Sequence, residues 1–278
     1  MLSIFTYIQW SPDPVIFEIA GRGIRWYGLL LATGFLLSYL VLAHMLKKES
    51  WTQQRIDVLA IYVIVGVVIG LRLGHCLFYN PVHYLSNPVE ILKVWEGGLA
   101  SHGGAAGILI ALALFCSKYK YNYLHILDRV AAIVLLAGSF VRIGNLMNSE
   151  IYGIPTQMPW AFVFAKADLL PRHPTQLYEG IFYFFCFFAM LWLFNKKKNK
   201  WLEGVFLGWF LIILFVFRFV IEFTKESQIE FSGWTLPLDM GQLLSIPFVI
   251  IGLILVFRKP KPEPVNNKPA GSKARKHR

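Results

Sequence analysis

The sequence predicts an all-α polytopic membrane protein with about seven transmembrane helices, and three observations support this expectation. Hydrophobic residues make up 56% of the 278 residues and charged residues only 15%, which is too apolar for an ordinary soluble domain. Seven apolar runs are long enough to cross a bilayer as helices, which takes about 20 residues each. Lysine and arginine are also distributed unequally between alternate loops, as in proteins inserted with a fixed orientation.

The seven predicted spans follow one another within residues 1–257, which we expect to form a single membrane domain. They cover approximately residues 24–46, 56–78, 98–116, 124–143, 178–195, 204–224 and 238–257. The N-terminus lacks the basic region and cleavage site of a secretory signal, so we expect the first span to be retained. The loop of about 144–177 is long and contains several prolines and aromatic residues, which is typical of an ordered cap over a functional site.

The charge distribution predicts the orientation of the helices. Seventeen of the 27 lysines and arginines lie in the loops after the first, third and fifth spans or in the C-terminal tail, whereas six lie in loops on the other side. By the positive-inside rule the N-terminus is outside and the C-terminus is cytoplasmic. Residues 258–278 are basic and proline-rich, which predicts a disordered tail. The net charge of +11 is explained by this topology and by anionic lipid headgroups, so we expect no nucleic-acid partner.

Polar residues within the predicted spans concentrate at one depth. In the predicted orientation they fall at the outer ends of their helices in seven places along the chain, and the exception is a small polar set at the inner end of the fourth span. The seven places are Arg25 with Tyr27, Arg72 with His75, His102, Arg142, Gln176 with Glu179, Arg218 with Glu222, and Asp239 with Gln242. Because lipid tails cannot solvate such groups, we expect them to line a cavity at the level of the outer leaflet.

The segment VRIGNLMNSEIYG, residues 141–153, carries the densest polar set, which is Arg142, Asn145, Asn148 and Glu150. A guanidinium group donates hydrogen bonds in a fixed fork that matches a phosphate. Arg142 and Arg218 are therefore predicted to bind a phosphate at headgroup depth. Arg218 has an alternative role, because Glu222 lies four residues along the same helix and the two side chains can form an ion pair.

The motif SHGGAAG contains His102 beside Gly103 and Gly104. Glycines at this spacing are typical of close packing between membrane helices, which explains the glycines better than the histidine. Because histidine exchanges protons near neutral pH, His102 is a candidate general base. The chain has none of the motifs of serine hydrolases, zinc peptidases, redox proteins or nucleotide-binding proteins, and its three cysteines lie in apolar spans without CxxC spacing.

Six segments occur in order across the seven spans: LRLGHCLFYNP, SHGGAAG, VRIGNLMNSEIYG, HPTQLYEG, RFVIEF and DMGQLLSIP. In these segments the chain resembles the bacterial phosphatidylglycerol:prolipoprotein diacylglyceryl transferases, and the resemblance covers nearly its whole length, from IRWYG near the start to the seventh span. Three positions depart from the usual pattern. Val141 and Ser149 stand where glycines are common, and TKESQ follows RFVIEF in place of an arginine-containing segment.

The resemblance implies transfer of a diacylglyceryl group from phosphatidylglycerol to the thiol of the lipobox cysteine in the signal peptide of a prolipoprotein. The products are a thioether and glycerol 1-phosphate. It also implies a location in the bacterial cytoplasmic (inner) membrane, among membrane lipids, with the active site facing the outer leaflet.

The residues fit the physical needs of this reaction. His102 is the candidate base for the thiol, and Arg142 and Arg218 are candidates for stabilising the phosphate leaving group. Glu150 is expected to orient an arginine or to receive a proton. Substrate binding is assigned to Tyr27, Asn145, Gly103, Gly104, Arg72 and Glu222. The positive charge of the arginines can stabilise the leaving phosphate in place of a metal ion, so we expect no metal and no cofactor.

Two other classes of function are open to a sequence of this kind. A transporter or flippase for an anionic lipid or metabolite would use the same arginines without chemistry, and it would need polar residues in both halves of the membrane. The inner half offers little beyond His125, Asp128 and Arg129, which we interpret as a local ion pair and headgroup anchor. An intramembrane peptidase would need a serine or paired-aspartate nucleophile, for which the sequence has no credible candidate.

Overall fold

A computed structural model describes most of the chain, namely residues 7–19, 21–93, 98, 100–197, 201–226 and 238–259. Apart from its first two residues, the predicted tail 258–278 lies outside this part. Within the described residues, seven helices are long and apolar enough to cross a membrane. The prediction of an all-α membrane protein with about seven transmembrane helices is therefore confirmed.

The helices begin and end within four residues of the predicted spans. In chain order they are α1 (Trp26–Lys47), α2 (Gln53–Phe78), the short α3 (Pro81–Ser86), α4 (Ser101–Tyr119), α5 (Tyr123–Met147), α6 (Thr175–Lys197), α7 (Val205–Ile221) and α8 (Met240–Phe257). A 3₁₀ segment, Pro88–Leu92, follows α3, and a second, Glu222–Thr224, extends α7. Helices α1, α4, α6 and α8 begin at the end of the bundle where α2, α5 and α7 finish, and we call this the site end.

Short strands join the N-terminal segment to the loop between α5 and α6. They are β1 (Ile8–Trp10), β2 (Val15–Ile19), β3 (Arg22–Arg25), β4 (Phe162–Phe164) and β5 (Pro171–Arg172). Strand β1 pairs in parallel with β4, which pairs antiparallel with β5, while β2 and β3 form a hairpin that leads into α1. Trp10 Nε1 also donates a hydrogen bond of 2.9 Å to the carbonyl of Leu146. The loop is thus attached to both the N-terminal segment and the end of α5.

Helices α2 and α4 pack with their backbones almost in contact. A Cβ atom at Gly103 would collide with the backbone of Gly70 and Gly74, and a Cβ at Gly107 would collide with that of Gly66. Because only glycine permits this approach, the glycines of the SHGGAAG motif are required for helix packing. This contact fixes the start of α4, and with it the backbone of His102, against the end of α2.

Helix α5 is the central helix and packs against α1, α6 and α7. At the end of the bundle opposite the site, the Asp128 carboxylate accepts backbone hydrogen bonds from Gly204 at 2.6 Å and Leu207 at 2.8 Å, and thereby caps the start of α7. Arg129 pairs with Glu49 at 2.7 Å. Among the described residues at this end, Arg129, Glu49 and Asp128 thus each have a partner.

Candidate active site

Polar side chains from α1, α5 and α6 meet at the site end of the bundle. Arg142 Nε lies 3.1 Å from Glu179 Oε2, and the Glu179 side chain has no solvent exposure. The other oxygen, Oε1, accepts a 3.0 Å hydrogen bond from Lys225 Nζ. Tyr27 and Tyr183 lie beside Arg142. The predicted phosphate ligand Arg142 is therefore held in place by the buried carboxylate of Glu179, a residue that the sequence indicated at the same end of the bundle but did not assign to the site.

Arg218 lies near Tyr183 on the same side of the bundle. It forms no ion pair or side-chain hydrogen bond with any residue that the structure describes. Glu222, the alternative partner considered from the sequence, instead lies 3.9 Å from Lys225 Nζ. The alternative in which Glu222 neutralises Arg218 is thus wrong, and no carboxylate of the described residues pairs with the guanidinium group of Arg218.

Glu150 is exposed and sits at the centre of a hydrogen-bonded loop after α5. Its Oε1 accepts from Asn145 Nδ2 at 2.7 Å and from Asn148 Nδ2 at 3.3 Å, while its backbone carbonyl accepts from Gln176 Nε2 at 2.7 Å. Glu150 also lies close to Tyr27, whose ring packs on the end of α5. The structure therefore brings Tyr27, Asn145 and Glu150 together with Arg142, as the sequence analysis expected of residues around one cavity.

The same loop carries backbone strain. Ser149 and Ile151 have φ angles of 55° and 60°, in the left-handed region that residues other than glycine seldom adopt. Such a conformation costs about 1–3 kcal/mol per residue and is common at functional sites. Thr175 Oγ1 donates to the Ile151 carbonyl at 2.8 Å and helps to hold the loop in this form. In this conformation the carboxylate of Glu150 accepts hydrogen bonds from Asn145 and Asn148.

Several buried oxygen atoms at the site end have no hydrogen-bond partner within the described part of the chain. They are Asn145 Oδ1, Asn148 Oδ1, Ser149 Oγ, Gln176 Oε1, Glu179 Oε2 and Glu222 Oε2. Glu179 Oε2 is the atom that contacts Arg142, so this contact is an ion pair without the geometry of a hydrogen bond. Each buried acceptor left unpaired costs about 1–3 kcal/mol. Their grouping indicates a region suited to a ligand that carries hydrogen-bond donors.

His102 lies at the start of α4, and its side chain is exposed. Its ring packs edge-on against Phe78, with centroids 5.1 Å apart, and stacks on Tyr79 at 6.0 Å. Among the described residues, no hydrogen bond, ion pair or ring contact joins His102 to Arg142 or Arg218. The structure places the candidate base at the same end of the bundle as the arginines, but in a separate group of side chains.

Three predicted substrate-binding residues contact other parts of the protein around His102. Arg72 is 3% exposed and donates to the carbonyls of Glu90 and Ile91, which fixes the 3₁₀ segment after α3. Gly103 and Gly104 are buried in the contact between α2 and α4. Their direct contact with substrate stays a prediction, and their observed role is to shape the surroundings of His102.

The chemistry available at this end is that of arginine, lysine, carboxylate, amide and imidazole groups. Within the part of the chain that is described, no three His, Cys, Asp or Glu side chains are grouped so that they could hold a metal ion. Cys76, Cys116 and Cys186 are free thiols. The arrangement can bind an anion through the arginines and can offer a proton acceptor at His102 or Glu150.

Comparison with known proteins reveals similarity over nearly the whole chain. The family model described as prolipoprotein diacylglyceryl transferase matches residues 14–258. Proteins named phosphatidylglycerol–prolipoprotein diacylglyceryl transferase are similar in several bacteria. That of Chloroherpeton thalassium is 46% identical over 260 residues, which cover 92% of this chain and 96% of the relative. That of Bacteroides fragilis is 43% identical over 269 residues, covering 92% and 97%, and that of Tolumonas auensis is 43% identical over 253 residues, covering 91% and 97%.

Proposed function

The chain belongs to the prolipoprotein diacylglyceryl transferase family, and from this membership we propose that it transfers the diacylglyceryl group of phosphatidylglycerol to the lipobox cysteine of prolipoproteins. The products are a thioether on that cysteine and glycerol 1-phosphate, in the first step of bacterial lipoprotein maturation. The observation that supports this chemistry most directly is that Arg142 and Arg218 both lie beside Tyr183, and that Arg218 forms no ion pair with a residue of the described part of the chain. Two arginines in this arrangement suit a lipid phosphodiester.

The proposed reaction is a displacement at the carbon of the diacylglycerol unit that is bonded to the phosphate oxygen. The cysteine thiol gives its proton to His102, and the sulfur attacks this carbon. A carbon–sulfur bond forms as the carbon–oxygen bond breaks, and the electron pair of the broken bond stays on the phosphate oxygen of glycerol 1-phosphate. Arg142 and Arg218 stabilise the charge that develops there, and the donors of Arg142 are oriented beforehand by its ion pair with Glu179. The arginines supply the electrophilic role, so we propose no requirement for a metal or cofactor.

The glycerol headgroup is proposed to bind at the loop around Glu150. The carboxylate of Glu150 and the unpaired Oδ1 of Asn145 are acceptors for its hydroxyl groups, and Tyr27 lies beside them as a further hydrogen-bonding group. Glu222 is proposed to act on substrate binding indirectly, through its 3.9 Å contact with Lys225. In this arrangement the phosphate and the headgroup are held on α5, α6 and α7, whereas the thiol approaches from the side of His102.

The protein is a multi-pass membrane protein. We propose that it lies in the bacterial cytoplasmic (inner) membrane, with the site end at the outer leaflet, since the charge distribution places the opposite ends of the helices in the cytoplasm. In this orientation residues 144–177 cover the site from outside. The lipobox cysteine of an exported precursor and the headgroup of phosphatidylglycerol would then meet at the same depth.

The alternative function, a transporter or flippase for an anionic lipid or metabolite, is less well supported. Transport would need polar groups available along both halves of the bundle. At the opposite end Arg129 is engaged with Glu49, His125 lies 3.0 Å from both Glu49 and Glu203, and Asp128 caps α7. These groups are occupied with one another, which favours a cavity that opens at one end.

The proposed function is tested with purified protein, phosphatidylglycerol and a synthetic peptide that contains a lipobox cysteine. Mass spectrometry should detect the peptide with one added diacylglyceryl group, together with glycerol 1-phosphate, and a metal chelator should leave the rate unchanged. Replacement of the cysteine by serine in the peptide provides the matched control and should give no product. Transfer of phosphatidylglycerol between leaflets without a modified peptide would favour the transporter instead.

A further inference from the structure

Glu179 is a fully buried carboxylate that contacts two cations from different parts of the chain. Arg142 Nε approaches one oxygen at 3.1 Å, and Lys225 Nζ approaches the other at 3.0 Å. The side chains of Arg142 and Lys225 are themselves only 17% and 8% exposed. Burying a carboxylate is costly unless it is paired, so the three groups form one electrostatic unit.

The geometry of the Arg142 contact leaves most of its donors available. A guanidinium group has five N–H donors, and the ion pair with Glu179 uses the side of Nε. The N–H groups of the two terminal nitrogens are left for other acceptors, including Tyr183 beside them. Glu179 thus orients the guanidinium group without covering its phosphate-binding edge.

The charge of the unit depends on Lys225. Arg142 and Glu179 alone would form a neutral pair, which would attract a phosphodiester only weakly. Lys225 restores a net charge of one positive unit to the three residues. The negative charge of Glu222, 3.9 Å from Lys225 Nζ, is matched by the positive charge of Arg218 near Tyr183, so the five side chains together also carry one positive unit. The backbone of Lys225 is fixed by a β-bridge to Gly153, in the loop after α5, and by the adjacent hydrogen bond of 2.9 Å from Ile154 N to Thr224 O. Lys225 is therefore held rigidly where its charge acts on Arg142.

We propose that Glu179 and Lys225 are positioning residues for the diacylglyceryl transfer. Glu179 fixes the orientation of Arg142, and Lys225 supplies the positive charge that Glu179 removes, so that Arg142 retains its attraction for the lipid phosphate. This inference rests on the proposed function for its substrate. It adds a specific requirement, which is a positive charge at residue 225 in addition to a hydrogen-bond donor there.

The test compares Lys225→Gln with Lys225→Arg in the purified enzyme. Glutamine can still donate a hydrogen bond to Glu179 but carries no charge, whereas arginine keeps both. With saturating peptide and varied phosphatidylglycerol in mixed micelles, Lys225→Gln should raise KM for the lipid about tenfold and change kcat by less than about threefold. Lys225→Arg should stay within about threefold of the wild type in both constants. Should Lys225→Gln fail to fold, Lys225→Asn takes its place, because asparagine also keeps a hydrogen-bond donor without the charge.

Arg129→Met provides the matched control, because Arg129 forms a buried ion pair on the same helix as Arg142 but about 20 Å away by helix rise. It should lower the melting temperature and leave KM for phosphatidylglycerol unchanged. A wild-type KM in Lys225→Gln, or equal losses in Lys225→Gln and Lys225→Arg, would overturn the proposal.

A binding measurement separates the proposed transferase function from the charge requirement at residue 225. It uses fluorescent phosphatidylglycerol and protein in nanodiscs of neutral lipid. Should the wild type form no thioether, the proposed function fails, yet weaker binding by Lys225→Gln than by Lys225→Arg would still support the charge requirement. Equal binding by the two variants would contradict it.

Discussion

Arg218 and Glu222 lie four residues apart at the end of α7, yet they do not pair. Glu222 turns to Lys225, at 3.9 Å, and Arg218 is left without a carboxylate partner among the described residues. An arginine in a membrane helix costs free energy when its charge has no partner, and such residues are usually found at functional sites. This relationship is consistent with the proposed role of Arg218 as a ligand of the lipid phosphate.

The first prediction concerns Arg218. Arg218→Gln should lower kcat by about 10²- to 10³-fold, as expected for the loss of one preorganised donor to the developing charge. The melting temperature should change little, because no described side chain loses a partner. Kinetics of thioether formation and thermal unfolding in detergent check both parts. A variant that is active but unstable would show that the role of Arg218 is structural.

The second prediction concerns His102. His102→Ala should lose most thioether formation while it still binds phosphatidylglycerol, because the ring contacts only Phe78 and Tyr79 among the described residues and none of the arginines. Without the base, attack depends on the peptide thiolate, and a free thiol has a pKa of about 8.5. The residual rate of the variant should therefore rise steeply between about pH 7 and pH 9. A flat pH profile with undiminished activity would remove His102 from the mechanism.

The third prediction concerns Asn145 and Glu150. Asn145→Asp replaces the amide that donates at 2.7 Å to Glu150 with a second carboxylate, so the two groups repel each other. We expect loss of transfer activity and a lower melting temperature. Asn148→Asp is the control, since its amide makes a longer contact of 3.3 Å and is less buried. Equal effects of the two substitutions would argue against a special role for Asn145.

The fourth prediction concerns the cap that Asp128 provides for α7. Asp128→Ala removes the acceptor for the backbone N–H groups of Gly204 and Leu207, and the loss of such a cap costs about 1–2 kcal/mol. The melting temperature should fall, whereas kcat measured well below it should be unchanged because Asp128 lies at the end of α5 opposite the site. Altered kcat in a fully folded variant would show that the two ends of α5 are coupled.

The fifth prediction is a loss of stability in acid that arises from Glu49. Burial raises the pKa of this carboxyl, but the hydrogen bonds from His125 and Arg129 prevail and lower it from 4.5 to about 2. A depressed pKa contributes stability above the unfolded value, and this contribution is lost as the pH falls from about 4.5 towards 2. The melting temperature of the wild type should fall over this range more than that of Glu49→Gln. Parallel curves for the two proteins would assign the acid sensitivity to other groups.

The membrane spans could be predicted because their signal is local. A backbone in lipid must satisfy its hydrogen bonds within the segment, so each crossing requires a continuous apolar helix that is visible in the sequence. The strands β1, β4 and β5 could not be predicted in the same way. They contain only two or three residues each, and β1 pairs with β4 across about 150 residues, so neither periodicity nor local propensity reveals them.

By itself, the sequence determined which side chains are too polar for lipid and at which end of their helices they lie, and so it selected Arg142, Arg218 and His102. Only the tertiary structure decided their partners. A spacing of four residues permits Arg218 and Glu222 to pair but does not impose it, and the choice of Glu179 as the partner of Arg142 depends on how α5 and α6 are rotated against each other. That rotation is set by the packing of whole helix faces, for which no short stretch of sequence carries the information.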